Sequence, residues 1–122
     1  MARITGVGGI FFKARDPKAL VDWYRDTLGL DVQAWGGALL PSAAEGPPHF
    51  VWSPFSADTT YMEPSTREFM LNFAVDDLDG VLAQLETKGV NILGRADDEN
   101  GRFAWLLDPE GTKIELWEPK KE

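Results

Sequence analysis

Two stretches decide how this chain folds: Gly8–Pro17, GGIFFKARDP, and Glu68–Asp77, EFMLNFAVDD. Each is a run of aromatic and aliphatic residues of strand type. Each ends on an aspartate placed to cap a helix. After the first, Pro17 suits the opening helical position. Leu20, Trp23, Tyr24 and Leu28 then recur at i, i+3, i+4 and i+8 as one apolar stripe, and Gly29 supplies a stop. After the second, Asp76-Asp77 opens a helix with the stripe Leu78, Val81, Leu82 and Leu85, closed by Gly89. Phe12 and Phe73 are 61 residues apart, as are Asp16 and Asp77, while Gly29 and Gly89 are 60 apart.

Further from these stretches the parallel continues. The first helix is followed by strand-like Leu30–Trp35, a Gly36-Gly37 turn, a strand over Ala38–Pro41, turn chemistry in Ser42–Pro48, and a strand over His49–Phe55. The second is followed by a strand over Val90–Arg95, a polar turn over Asp97–Gly101, and strands over Arg102–Leu107 and Thr112–Glu118 around the turn Asp108–Gly111. Residues 56–67, polar and containing Pro64, read as the linker between two halves, with room for one short strand at Thr60–Met62. Glu45-Gly46 and Glu110-Gly111 lie 65 apart, as do Trp52-Ser-Pro54 and Trp117-Glu-Pro119. The order β-α-β-β-β occurs twice. The expectation is a single α+β domain over residues 1–122, built from two modules at about 4–58 and 67–119.

Composition narrows the chemistry. A length of 122 residues suits one domain. Without cysteine there are no disulfides, thiolate metal sites or thiol nucleophiles, and a lone histidine, His49, rules out a multi-histidine site. The net charge of −8 disfavours nucleic acid, whose phosphates need clustered cations, and favours a neutral or cationic small ligand. No apolar run approaches the roughly 20 residues of a membrane helix. The N-terminus runs straight into a strand with no signal-type apolar segment, so the expected location is the cytoplasm. Gly6–Gly9 is not followed directly by a helix, so a dinucleotide loop is not expected.

GGIFFKARDP, WYRDTLGL, FAVDDLDGVLAQLETKGV and above all DPEGTKIELWEP together resemble the vicinal oxygen chelate superfamily, which includes glyoxalase I, bleomycin-resistance proteins and extradiol dioxygenases. The resemblance implies two paired βαβββ modules whose mixed sheets curl around a cavity, with the helices outside. It also implies a homodimer. Strand alternation would turn Ile10, Phe12 and Ala14 towards the first helix, and Leu71, Phe73 and Val75 towards the second. Gly9, Phe11 and Lys13, Met70, Asn72 and Ala74, Phe50 and Trp52, and Glu115 and Trp117 would face the cavity.

The four positions that carry metal ligands in the superfamily fall on Gly9, Phe50, Met70 and Glu115. Of these only Glu115 suits a hard or borderline cation, and His49 is expected on the face opposite Phe50. No metal and no other cofactor is therefore expected. The function expected is binding of a small aromatic or cationic molecule by Phe11, Phe50, Trp52, Met70, Asn72 and Trp117, as in bleomycin-resistance proteins. The alternatives are a lyase or isomerase acting on a carbonyl substrate with Glu115 as acid/base, or a metal-dependent enzyme of the glyoxalase or dioxygenase type. Tyr61 and Arg67, in the linker, have no role that spacing assigns. A cavity filled by the protein's own side chains is the remaining possibility.

Overall fold

Both helix starts form as their residues dictate. In the computed structural model, which describes residues 2–41 and 49–120, Asp16 accepts a hydrogen bond from the Ala19 amide at 3.1 Å, and Asp77 one from the Gly80 amide at 3.1 Å. Each satisfies an amide that has no partner within its own helix. The elements are β1 (Ile4–Ala14), α1 (Pro17–Leu28), β2 (Ala38–Pro41), β3 (His49–Ser56), β4 (Phe69–Val75), α2 (Leu78–Thr87), β5 (Gly94–Asp98), β6 (Gly101–Leu107) and β7 (Lys113–Pro119). Gly29 ends α1 with φ 73°, where a side chain would strain the backbone. Asp108 accepts from the Glu110 and Thr112 amides at 2.9 Å each and so shapes the turn between β6 and β7. These amides hold its carboxyl below the ordinary aspartate range.

The strands form one mixed sheet in the order β2-β3-β1-β4-β7-β6-β5. β1 pairs parallel with β3, and β4 parallel with β7; the two halves meet where β1 pairs antiparallel with β4. The modules thus pair within one chain. α1 lies over β1 and β3, and α2 over β6 and β7. The second half holds the main core: Val75, Leu78, Val81, Leu82, Ala104, Leu106 and Leu116. The opposite, inner face carries no helix among the described residues.

Several local expectations are corrected. Leu30–Trp35 is not a strand. Gln33 accepts from the Gly36 amide at 3.0 Å and donates to Gly37 at 2.8 Å, so the segment spends its backbone groups on a turn, with one isolated bridge from Val32 to Ala38. The sheet accordingly has seven strands. In the second half β6 begins one residue earlier than expected and β7 one residue later. β5 begins at Gly94 rather than Val90, and Asp97 and Asp98, expected in a turn, belong to it. On an edge strand their side chains stay in solvent, so acidic residues are tolerated there. In α1, Trp23 is exposed and the neighbouring Val21 is buried instead. The expected Ser42–Pro48 turn and the side chains of Leu28, Pro41 and His49 lie outside the described residues.

Candidate functional site on the inner face

Register brings the site together. Glu115 sits opposite Asn72 on β4 and opposite Trp105 on β6, so one carboxylate has a cross-strand neighbour on each side and on the same face. Glu115 is 3 % exposed. Its Oε1 accepts from Asn72 Nδ2 at 2.6 Å, and its Oε2 accepts from Trp105 Nε1 at 2.8 Å. A third hydrogen bond reaches Oε2 from the Tyr61 hydroxyl. All three donors are neutral, a phenol, an amide and an indole, and among the described residues no cation forms an ion pair with this carboxylate.

Tyr61 arrives from the segment between β3 and β4. Turns closed by Thr59 N to Ser56 O, Glu63 N to Thr60 O and Ser65 N to Met62 O, each at 3.0 Å, fold this segment onto the inner face. Met62 is 1 % exposed and packs with Phe11 and Met70, with Val51, Phe55 and Trp105 around them. The Tyr61 ring lies 5.6 Å from the Phe55 ring and edge-on to Trp105 at 6.2 Å. Lys113 donates to the Tyr61 carbonyl and holds its ammonium 5.0 Å from the Tyr61 ring centre and 5.7 Å from that of Trp105. Burial, then the negative charge of Glu115, push the Tyr61 phenol well above its ordinary pKa. Burial pulls the Lys113 ammonium below its ordinary value, opposed by the charges of Glu115 and Glu63.

The sheet continues as an aromatic row. Phe103 stacks on Trp105 at 6.4 Å and on Trp117 at 6.5 Å, and Trp117 Nε1 donates to the Asn100 carbonyl at 3.0 Å. Asn72 Oδ1 is buried without a partner. It lies against Gly8, where an added Cβ would stand 2.0 Å from Asn72 Oδ1 and 2.9 Å from Trp117.

Of the expected site residues, Phe11, Met70, Asn72, Glu115 and Trp117 share the inner face. Phe50 and Trp52 do not. Trp52 packs against Tyr24 of α1 at 4.6 Å and against Phe12 at 5.7 Å, and Phe50, two residues before it, shares that face. The reason is register. Gly9 pairs with Val51, so Val51 and Phe55 are the β3 residues beside Phe11. Sequence reasoning did not assign Tyr61, Lys113 or Phe55 to the site; the signal available was a tyrosine inside an otherwise polar linker. Arg67 lies at the margin, donating to the Glu110 carbonyl at 3.1 Å.

These residues do not fit the superfamily's divalent metal. Gly9 and Met70 bring no oxygen or nitrogen side-chain donor, and neither Phe50 nor Val51 does so on β3. Every described group aimed at Glu115 offers a proton rather than a lone pair, and an ammonium lies beside it. Among the described residues, no three of His, Cys, Asp and Glu are grouped to hold an ion. Two surface hollows lie elsewhere: one of about 1090 Å³ by Lys13, Arg15, Trp23 and Tyr24, the other of about 580 Å³ by Asp97, Arg102 and Glu118. Neither includes Glu115; Tyr61 stands in front of it.

Comparison with known proteins agrees with this fold. Methylmalonyl-CoA epimerase from Mycobacterium tuberculosis is 22 % identical and superposes with a TM-score of 0.65, over 97 % of this chain and 90 % of that one. A variant of the Streptomyces coelicolor methylmalonyl-CoA epimerase, bound to 2-nitronate-propionyl-CoA, gives 20 % identity and a TM-score of 0.71 over 96 % of each chain. A Legionella pneumophila protein described as an NAD-dependent benzaldehyde dehydrogenase gives 15 % and 0.61 over 92 % of this chain and 98 % of that one. At such identities the likeness is one of fold, which does not fix an activity. Comparison with curated proteins finds no match. A family profile described as a glyoxalase-like domain matches residues 9–117, nearly the whole sheet and both helices. With that match and this fold, the chain belongs to the glyoxalase-like domain family of the vicinal oxygen chelate superfamily.

Proposed function

We propose that this protein binds a small aromatic or cationic molecule on the inner face of its sheet, without the superfamily's metal, and that the ligand engages Glu115. The observation that carries this reading is the buried Glu115 carboxylate, ringed by neutral donors and set in an aromatic wall of Phe55, Tyr61, Phe103, Trp105 and Trp117. Apolar walls with a few placed polar groups are what small-molecule sites are made of. Trp105 supplies the readout. Titration with aromatic amines and phenols should quench tryptophan fluorescence, and Glu115→Gln should weaken the best binder by about tenfold or more, the loss of a charge-assisted contact. A flat titration with both classes would remove the reading.

A second reading, acid/base chemistry on a carbonyl substrate, is favoured by the Tyr61 hydroxyl donating to Glu115, a pair between which a proton can pass. The epimerases among the similar structures act on a CoA ester, and a thioester with an acidic α-proton is the substrate to try first. Deuterium exchange at that carbon, present with the native chain and absent with Glu115→Gln, would distinguish catalysis from binding alone.

We also propose that the protein acts in the cytoplasm, off nucleic acid, which its net charge of −8 disfavours, and as a homodimer of two-module chains. The dimer reading draws on Ile4, Val7, Ile10, Phe69 and Leu71, each more than a third exposed on the helix-bearing face of β1 and β4.

A further inference from the structure

We infer that the natural ligand of the inner face is a neutral hydroxyaromatic molecule, and that the Tyr61 side chain is its internal stand-in, seated on Glu115 between Phe55, Trp105 and Lys113. This rests on the reading of the inner face as a ligand site.

The place that Tyr61 fills is shaped for a phenol in every respect. Glu115 Oε2 accepts the hydroxyl proton, with Trp105 Nε1 already donating to the same oxygen at 2.8 Å. The ring edge is bounded by Phe55 and Trp105. Lys113 puts its ammonium on the ring, 5.0 Å from its centre, where the negative face of a π-system is wanted. A cationic aromatic would meet that ammonium as a like charge. A plain hydrocarbon would leave a buried carboxylate short of a donor. A hydroxyaromatic meets all three demands.

Tyr61 is also built to leave. It is 38 % exposed, whereas Met62 beside it is 1 % exposed and pinned by Phe11 and Met70. The Lys113 bond goes to the Tyr61 carbonyl and not to its hydroxyl, so the backbone turn stays fastened while the side chain rotates out. A ligand then takes over the side chain's contacts one for one, and affinity in the native chain is reduced by the cost of evicting Tyr61.

The test uses p-cresol, toluene and benzylamine with the native chain and with Tyr61→Ala, read by tryptophan fluorescence. Tyr61→Ala should bind p-cresol at least tenfold more tightly than the native chain does, with toluene at least tenfold weaker than p-cresol and benzylamine weaker still. If Tyr61→Ala does not fold, Tyr61→Phe serves: its ring leaves without surrendering a hydrogen bond, so p-cresol should bind it several-fold more tightly than the native chain. Toluene equal to p-cresol, or equal p-cresol affinity in native and variant chains, overturns the inference. Benzylamine as the tightest binder, lost in Glu115→Gln, keeps the site and overturns the hydroxyaromatic class. No binding by any chain removes the site and the inference with it.

Discussion

Tyr61 and Glu115 are 54 residues apart in sequence and share one proton-bearing contact, so the ionisation of the phenol is tied to the folded state. With its folded pKa raised above the ordinary tyrosine value of about 10, Tyr61 contributes stability that is complete below that pH and is lost as pH rises through the folded value. In an ultraviolet tyrosinate titration, the difference between the native chain and Tyr61→Phe should be absent near pH 10 and appear only at higher pH or on unfolding. A half-ionised Tyr61 near pH 10 would contradict the Glu115 contact. Glu115 was legible from the sequence because DPEGTKIELWEP fixes the hairpin that presents it. Tyr61 was not, because a turn-rich segment has no period from which a facing direction can be read.

At the scale of elements, β1 carries its information in glycines. Asn72 and Trp117 take the space a side chain at Gly8 would need, and the pairing with β4 shifts register between Val7 and Gly9. Gly8→Ala should therefore push the Asn72 amide off Glu115 and cost roughly 1–3 kcal/mol, seen as a lowered thermal midpoint with the helices intact by circular dichroism. An unchanged midpoint would mean that the amide is not held as described. The helices, their aspartate caps and the β6–β7 turn were readable because each rests on local chemistry. The facing of β3 was not. Matching Trp52-Ser-Pro54 to Trp117-Glu-Pro119 treats the two tryptophans as equivalent, yet Trp52 packs under α1 and Trp117 lies on the inner face. A one-residue offset reverses every side chain of a strand, and a repeated triplet is too coarse to exclude it. The Leu30–Trp35 strand failed for a related reason: local turn bonds around Gln33, Gly36 and Gly37 outcompete a sheet ladder.

At the scale of the molecule, the antiparallel β1–β4 pairing sets Ile10 opposite Leu71 and Phe12 opposite Phe69, which lays the exposed apolar stripe about a local twofold. Such a patch is suited to meet its own copy, the requirement of an isologous interface. Light scattering should give twice the chain mass, and Ile10→Glu should shift it to the monomer; a native monomer would end the proposal. The modular order was legible because Asp-capped helices and glycine stops recur at near-constant spacing, whereas the use of the linker as a cover depends on contacts between distant parts of the chain. That last feature also bears on how the protein is made. The strand partners that frame Glu115 come from β4 and β6, and Glu115 itself and Lys113, which fastens the Tyr61 turn, lie on β7. Tyr61 therefore lacks both its acceptor and its fastening until β7 has joined the sheet, whereas Met62 can already seat against Phe11 and Met70.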